Sequence, residues 1–263
     1  MSLPFDEIGD GVYRRRYEAL DQNIGIILGA VGALVIDTRS VPSHGEEIAR
    51  DLSRLTSLPV NWVINTHWHW DHVLGNSVFA GAEIWGHRRC REVMESDPEA
   101  IKAAAQSWLG ESIVAELEQT TVVPPTTVFD TDVEMNLGDR VVRLLYRGKG
   151  HTDADLTVRV DDIVFVGDLL EEGAPPVFGD GYPLQWPDTI AAHLADKPPR
   201  VTVPGHGDVM HRDAVNTQIE ELREVARRCL AANTEDELDL ADAPFPDEAM
   251  RSAMARSLLE RGQ

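Results

Sequence analysis

Residues 66–72 read Thr66-His67-Trp68-His69-Trp70-Asp71-His72, and this stretch decides the fold. It follows an apolar run at residues 60–65 that predicts a β-strand. A chain that leaves a strand in extended form points His67 and His69 to the same side, where two imidazoles can bind one metal ion. Asp71 and His72 lie at the turn into a short predicted helix and can face a second ion. The two tryptophans alternate with these residues and are predicted to pack away from the metal.

Three further polar side chains follow predicted strands later in the chain. His151 lies in the glycine-rich run Gly148-Lys149-Gly150-His151, Asp168 follows the apolar run 163–166, and His206 stands between two glycines after residues 201–203. An isolated loop histidine is more often an ordinary surface residue than a ligand. Three such signals downstream of a four-ligand motif predict one shared metal site instead.

The rest of the chain alternates strand and helix patterns. Two β-rich blocks, at residues 11–65 and 127–166, predict two sheets with helices outside them. Ser43 is expected to cap the helix that follows it, and residues 88–119 are predicted to be helical, with Trp108 on the apolar stripe. We expect a domain over residues 1–232 that contains this helical insertion, and a C-terminal tail with a short helix over residues 233–263. The segment 234–248, which is rich in acidic residues, is predicted to be solvated and partly disordered.

Composition narrows the possible partners and location. The 263 residues carry 24 Lys and Arg against 45 Asp and Glu, a formal charge of −21, which disfavours nucleic acid and anionic membranes as partners. The beginning of the sequence shows no signal-peptide pattern, and the longest apolar run, residues 24–36, is shorter than the about 20 residues that cross a bilayer. Two cysteines provide no disulfide framework. We therefore expect a cytoplasmic protein that acts on a small molecule.

The ordered pattern His67-x-His69-x-Asp71-His72, then His151, Asp168 and His206, resembles the five-part signature of the metallo-β-lactamase-fold superfamily, over roughly residues 10–230. The resemblance implies an α/β fold: a four-layer αββα sandwich of two mixed β-sheets with helices on the outer faces. It also implies a metal site at one edge of the sheets with two ions. The implied roles are as follows: the first ion is bound by His67, His69 and His151, the second by Asp71, His72 and His206, and Asp168 bridges both.

The ligand chemistry predicts a hydrolase. Imidazole and carboxylate ligands without thiolate suit Zn²⁺, two per chain, and also fit Fe or Mn. A hydroxide shared by two ions can attack the carbonyl of an ester, thioester, lactone or amide. Asp71 would orient this nucleophile and move its proton. Tyr182, in the Pro- and Gly-rich loop 171–187, is predicted to donate a hydrogen bond to the oxyanion, with packing into the core as an equal alternative.

Several activities of such a fold are disfavoured by particular residues. Asp168 stands where one subclass of β-lactamases has its cysteine ligand, and Glu171 stands where those enzymes carry a lysine for the drug carboxylate. The ligand set resembles that of glyoxalase II, but residues 152–155 and the acidic tail do not match the features that accompany glutathione binding. The charge of −21 disfavours ribonuclease-type phosphodiesterases. The alternative from another class is an oxidoreductase resembling the one-iron persulfide dioxygenases, and a binding module with a vestigial site ranks last.

Overall fold

The chain divides by its internal contacts into two units, Met1–Leu144 and Leu145–Gln263. The computed structural model describes residues 4–262.

The first unit is built on a seven-stranded mixed sheet. Its strands follow the chain order from β1 to β7 and are antiparallel as far as β4, then parallel. They are β1 Asp6–Gly9, β2 Val12–Tyr17, β3 Gln22–Leu28, β4 Ala33–Ile36, β5 Val60–Ile64, β6 Glu83–His87 and β7 Thr127–Phe129. All four residues of β4 are buried, as expected for a central strand with parallel pairing on one side.

The helices of the first unit connect its parallel strands. They are α1 Pro42–Leu55, α2 Trp70–Val73, α3 Arg88–Ser96, α4 Pro98–Leu109 and α5 Val114–Gln119. A 3-10 segment, Leu74–Phe79, continues α2 and packs against α1. The core beneath α1 contains Ile48 and Leu52 with Val35 and Val63 of the sheet.

The second sheet has five strands in the order β12-β11-β10-β9-β8, and the boundary between the units falls inside β9. The strands are β8 Val133–Asn136, β9 Val141–Tyr146, β10 Leu156–Val160, β11 Ile163–Gly167 and β12 Val201–Pro204. The β10–β11 pair is a hairpin with its turn at Asp161, whereas β11 and β12 are parallel. Helix α6 Trp186–Leu194 connects β11 to β12, and α7 Arg212–Ala231 and α8 Asp247–Glu260 follow β12.

Two local predictions were wrong. Ser43 does not cap α1, because the helix begins one residue earlier, at Pro42, and the Ser43 hydroxyl instead donates to Glu116 at 3.0 Å. Residues 88–119 are largely helical as predicted, but the expected apolar stripe does not run along one helix. Pro98 and Gly110 divide them into separate segments, and Trp108 is 64% exposed.

The C-terminal segment packs on the second unit more closely than its acidic composition suggested. Most of residues 234–248 are exposed, as expected for acidic side chains, but Leu238 is buried in the core of the second unit. Met250 and Met254 of α8 join the same core, beside Cys229 of α7. The expectation of a solvated segment was therefore wrong for Leu238, whose burial helps to hold the segment on the unit.

The predicted class is confirmed: the chain is an α/β protein with two mixed sheets and eight helices in the described residues 4–262. Within the same residues, no helix has both the length and the apolar character that a membrane span requires.

The packing of α8 can be tested with two residues of the same helix. Met254 is fully buried and Leu259 is 61% exposed. Met254→Ala is expected to lower the free energy of unfolding by about 2–5 kcal/mol, because it leaves a cavity, whereas Leu259→Ala should change it by less than about 0.5 kcal/mol. Urea denaturation measures both values, and similar midpoints for the two variants would contradict the packing described.

Candidate metal centre

The histidine motif of the first unit begins where β5 ends. Strands β4 and β5 are parallel neighbours, so their carboxyl ends meet at one edge of the sheet, and the Asp37 N–H donates to the Ile64 carbonyl at 2.8 Å. The chain then runs through Thr66 to His67 and His69 and turns into α2, which carries Asp71 and His72. His67 and His72 are completely buried and Asp71 nearly so.

Asp37 organises this loop. Its Oδ1 accepts the Thr66 N–H at 2.8 Å, and its Oδ2 accepts the Thr66 hydroxyl at 2.8 Å and lies 2.9 Å from His72 Nδ1. Because a carboxylate only accepts, we assign the His72 proton to Nδ1, which leaves Nε2 as the ligand atom. The Thr66 hydroxyl uses its one proton on Asp37, so at 3.1 Å from His67 Nδ1 it accepts from that nitrogen, which leaves His67 Nε2 as a candidate ligand atom.

Neighbouring ligand atoms of this unit have the spacing of atoms that share an ion. His67 Nε2 lies 3.1 Å from His69 Nδ1, and His72 Nε2 lies 3.4 Å from Asp71 Oδ2. Two nitrogen atoms at about 2.0–2.1 Å from a tetrahedral zinc ion are about 3.3 Å apart. The donor set therefore fits divalent metal in both chemistry and spacing.

Backbone groups of α2 are held from the strands behind it. The Gln22 side-chain amide donates to the Asp71 carbonyl, and the Thr38 N–H donates to the His72 carbonyl at 2.9 Å. Gly75 allows the 3-10 segment to approach, since a side chain there would collide with the Thr38 carbonyl. These contacts fix the direction in which Asp71 and His72 project.

The second unit repeats this construction with a second parallel pair. Strand β11 ends at Gly167, directly before Asp168, and β12 ends at Pro204, two residues before His206. The Gly205 N–H donates to the Gly167 carbonyl at 2.8 Å, which joins the two strand ends. Asp168 Oδ2 lies 3.4 Å from His151 Nε2 and 3.5 Å from His206 Nε2. These separations exceed those of ordinary hydrogen bonds, about 2.7–3.2 Å, and match those of co-ligands.

Two glycines leave room for this arrangement. A Cβ atom on Gly205 would overlap Asp168 Oδ1, and one on Gly207 would overlap the Glu172 carbonyl. Gly207 also has a φ of 92°, in the left-handed region that favours glycine. The Glu172 N–H donates to the His206 carbonyl at 3.1 Å, and Glu172 Oε2 accepts the Asp208 N–H at 2.8 Å. The loop that carries His206 is thereby held against the loop that follows Asp168.

The loop that carries His151 is held by Asp155 and by two contacts to the segment after it. Asp155 accepts hydrogen bonds from the Thr152 N–H at 2.8 Å and the Thr152 hydroxyl at 2.6 Å. The Tyr182 N–H donates to the Gly150 carbonyl at 2.7 Å, and the Thr189 hydroxyl donates to the Lys149 carbonyl at 2.6 Å. His151 is buried, with its ring edge-on to Trp186.

Tyr182 is half-buried and does not belong to the core of the second unit. The Lys149 ammonium lies 4.4 Å from the centre of its ring and the Arg256 guanidinium 5.7 Å. Glu171, by contrast, is buried, and its backbone exchanges hydrogen bonds with the Gln218 side chain. Glu171 and Glu172 line a cavity of about 370 Å³ with Met210, Gln218 and Phe245, none of which is a predicted ligand.

Three supporting residues were not predicted from the sequence: Asp37, Asp155 and Gly205, which leaves space for Asp168. The role of Asp37 could have been predicted. It is a single carboxylate directly after a buried strand, and that strand neighbours the one that leads to the histidines. Asp155 and Gly205 had no comparable signal, since their roles depend on approaches measured in fractions of an ångström.

The model of the metallo-beta-lactamase superfamily matches residues 17–225. The chain belongs to this superfamily. Solved structures with a similar fold include a metallo-beta-lactamase from Pontibacter korlensis, with a TM-score of 0.67, 19% identity, and 84% of this chain and 99% of that chain covered. TMB-1 has a TM-score of 0.64 at 20% identity, with coverage of 84% and 97%. A metallo-beta-lactamase from Erythrobacter litoralis has a TM-score of 0.65 at 18% identity, with coverage of 84% and 96%.

Members of this superfamily are mostly metal-dependent hydrolases, and each of the seven predicted ligand residues offers an atom that could bind a metal ion. The expectation of a superfamily fold is confirmed.

Asp37→Asn should weaken metal binding by about 10- to 100-fold, because it removes the charge that orients His72 while keeping the side chain's size. Asparagine also tolerates the left-handed backbone at this position, where φ is 62°. Competition with a fluorescent zinc chelator measures the affinity. Asp130→Asn, which breaks an exposed ion pair with Arg88, serves as the control and should bind zinc normally.

Gly205→Ala should reduce the bound metal, because the added methyl group displaces the Asp168 carboxylate. Gly179→Ala is the matched control in the same unit, since a Cβ there meets nothing within 4 Å. Elemental analysis of both purified variants tests the expectation, with circular dichroism to confirm folding. Full metal content in a folded Gly205→Ala protein would contradict it.

Proposed function

We propose that this protein is a hydrolase that binds two metal ions, with zinc as the resident metal, and that it cleaves the acyl C–O, C–S or C–N bond of a small ester, thioester, lactone or amide. The proposed first set of ligands is His67, His69 and His151, and the second is Asp71, His72 and His206, with Asp168 shared by both. Superfamily membership supports this set. The observation that carries it is the repeated spacing of 3.1–3.5 Å between neighbouring ligand atoms within each unit.

Bound divalent ions would supply a water of lowered pKa and polarise the substrate oxygen. Asp71, which α2 carries, is the residue proposed to orient the attacking water and to accept its proton, a task that a carboxylate performs and an imidazole ligand cannot perform while it binds metal. Asp37 keeps His72 in the tautomer that presents Nε2. Burial of His67, His72 and His151 excludes competing water from their ring nitrogens.

The Tyr182 hydroxyl is the proposed hydrogen-bond donor to the oxyanion. Two observations support this role: the side chain is half-buried rather than part of the core, and its backbone is bonded to the loop that carries His151. The backbone beside it is held by Arg256, whose guanidinium donates to the Gly181 and Asp180 carbonyls, so the side chain starts from a fixed point. A donor held in advance in this way stabilises the charge that develops on the carbonyl oxygen.

The test is a screen of metal-quantified protein against thioesters, lactones, carboxylic esters, β-lactams and phosphodiesters. We expect two zinc ions per chain and a preference for carbonyl substrates. Chelation should abolish turnover and added zinc should restore it. Asp71→Asn and Tyr182→Phe should each lower kcat by about 10²-fold, because each removes an interaction made in the transition state. Full activity of metal-free protein, or one iron per chain with oxygen uptake on a persulfide, would overturn the proposal.

A further inference from the structure

The loop before His151 carries a cation that the proposed chemistry does not use. Lys149 is one of only three lysines in the chain, with Lys102 and Lys197. It stands two residues before His151, so the two Cα atoms are at most about 7 Å apart. Its backbone is fixed, because its own carbonyl accepts from Thr189 and the next carbonyl accepts from Tyr182.

The Lys149 side chain lies on the face of the Tyr182 ring, with Nζ 4.4 Å from the ring centre. Among residues 4–262 no carboxylate lies within 4.0 Å of this ammonium group, and its N–H groups donate no hydrogen bond. This is unusual in a chain with 45 acidic residues, most of whose arginines contact carboxylates. The aromatic face holds the ammonium in place without neutralising its charge.

Arg256, the second cation at this ring, has a different role. Its Nε and Nη2 groups donate to the Gly181 and Asp180 carbonyls at 3.0 and 2.9 Å. These bonds use its donors to hold the backbone next to Tyr182, and the Glu260 carboxylate holds the same segment by accepting the Leu184 N–H at 2.9 Å. Helix α8 therefore holds the backbone on both sides of Tyr182. The Lys149 ammonium, in contrast, keeps its N–H groups available.

We infer that Lys149, seated on Tyr182, is a specificity-determining residue that binds an anionic group of the substrate, a carboxylate, beside the proposed metal centre. The inference rests on the proposed function for the reaction itself. The preferred substrates are accordingly carbonyl compounds that end in a carboxylate at some distance from the bond that is cleaved.

Paired substrates test this inference. The 4-nitrophenyl esters of hexanoic acid and of adipic acid have the same chain length, and the second ends in a carboxylate. We expect the metal-loaded protein to favour the adipate ester, and Lys149→Gln to raise its KM about tenfold or more with kcat little changed. The KM for the hexanoate ester should stay the same. Lys149→Arg should restore most of the preference, since it restores the charge.

Lys197→Gln is the matched control, because it removes the same charge from an exposed position of the same unit. Calorimetry with free adipate and with neutral adipamide gives a second readout that does not depend on turnover. We expect adipate to bind about tenfold more weakly to Lys149→Gln than to the wild type and to the control. Equal affinity in all three proteins would overturn the inference. If adipate binds as expected but neither ester is cleaved, the result counts against the proposed hydrolase and not against Lys149.

Discussion

Each unit depends on one constraint: two neighbouring parallel strands end at the same edge of a sheet. In the first unit β4 and β5 bring Asp37 beside the histidine motif, and in the second unit β11 and β12 bring Asp168 beside His206. The backbone bonds of each strand pair set the spacing between the two chains, so side chains that follow the strand ends meet without any long-range adjustment. The proposed ligands thus follow hydrogen-bonded strand ends in both units.

Asp37 in the first unit, and Gly205 and Gly207 in the second, allow close contact around the proposed ligands. Asp37 satisfies a backbone N–H, a hydroxyl and an imidazole at once, which makes its burial favourable despite its charge. In the second unit Gly205 and Gly207 act by what they lack, because any side chain would occupy the space of Asp168 or Glu172. Both solutions fix the direction of a ligand before any ion arrives, which reduces the ordering cost of binding.

Much of this arrangement could be predicted from the sequence. The motif at residues 67–72 and the three strand-end signals are visible because ligand chemistry needs particular residue types at short spacing. The division of residues 88–119 was missed because Pro98 and Gly110 outweigh an otherwise continuous helical period. The packing of Leu238 and Met254 was missed because net charge describes the exposed side chains of a segment and not the few apolar ones that anchor it. The roles of Gly205 and Gly207 could not be predicted, because they depend on close approach to residues that are distant in sequence.

Helix α8 contains none of the proposed ligands, yet through Arg256 and Glu260 it holds the backbone on both sides of Tyr182. A substitution in this helix can therefore shift the segment around Tyr182 without changing any of the proposed ligands. Selection can act on such changes separately, since the helix that supports Tyr182 lies outside the loops that carry these ligands. Substitutions in α8 therefore offer a route by which related proteins can change substrate preference while the proposed ligands stay the same.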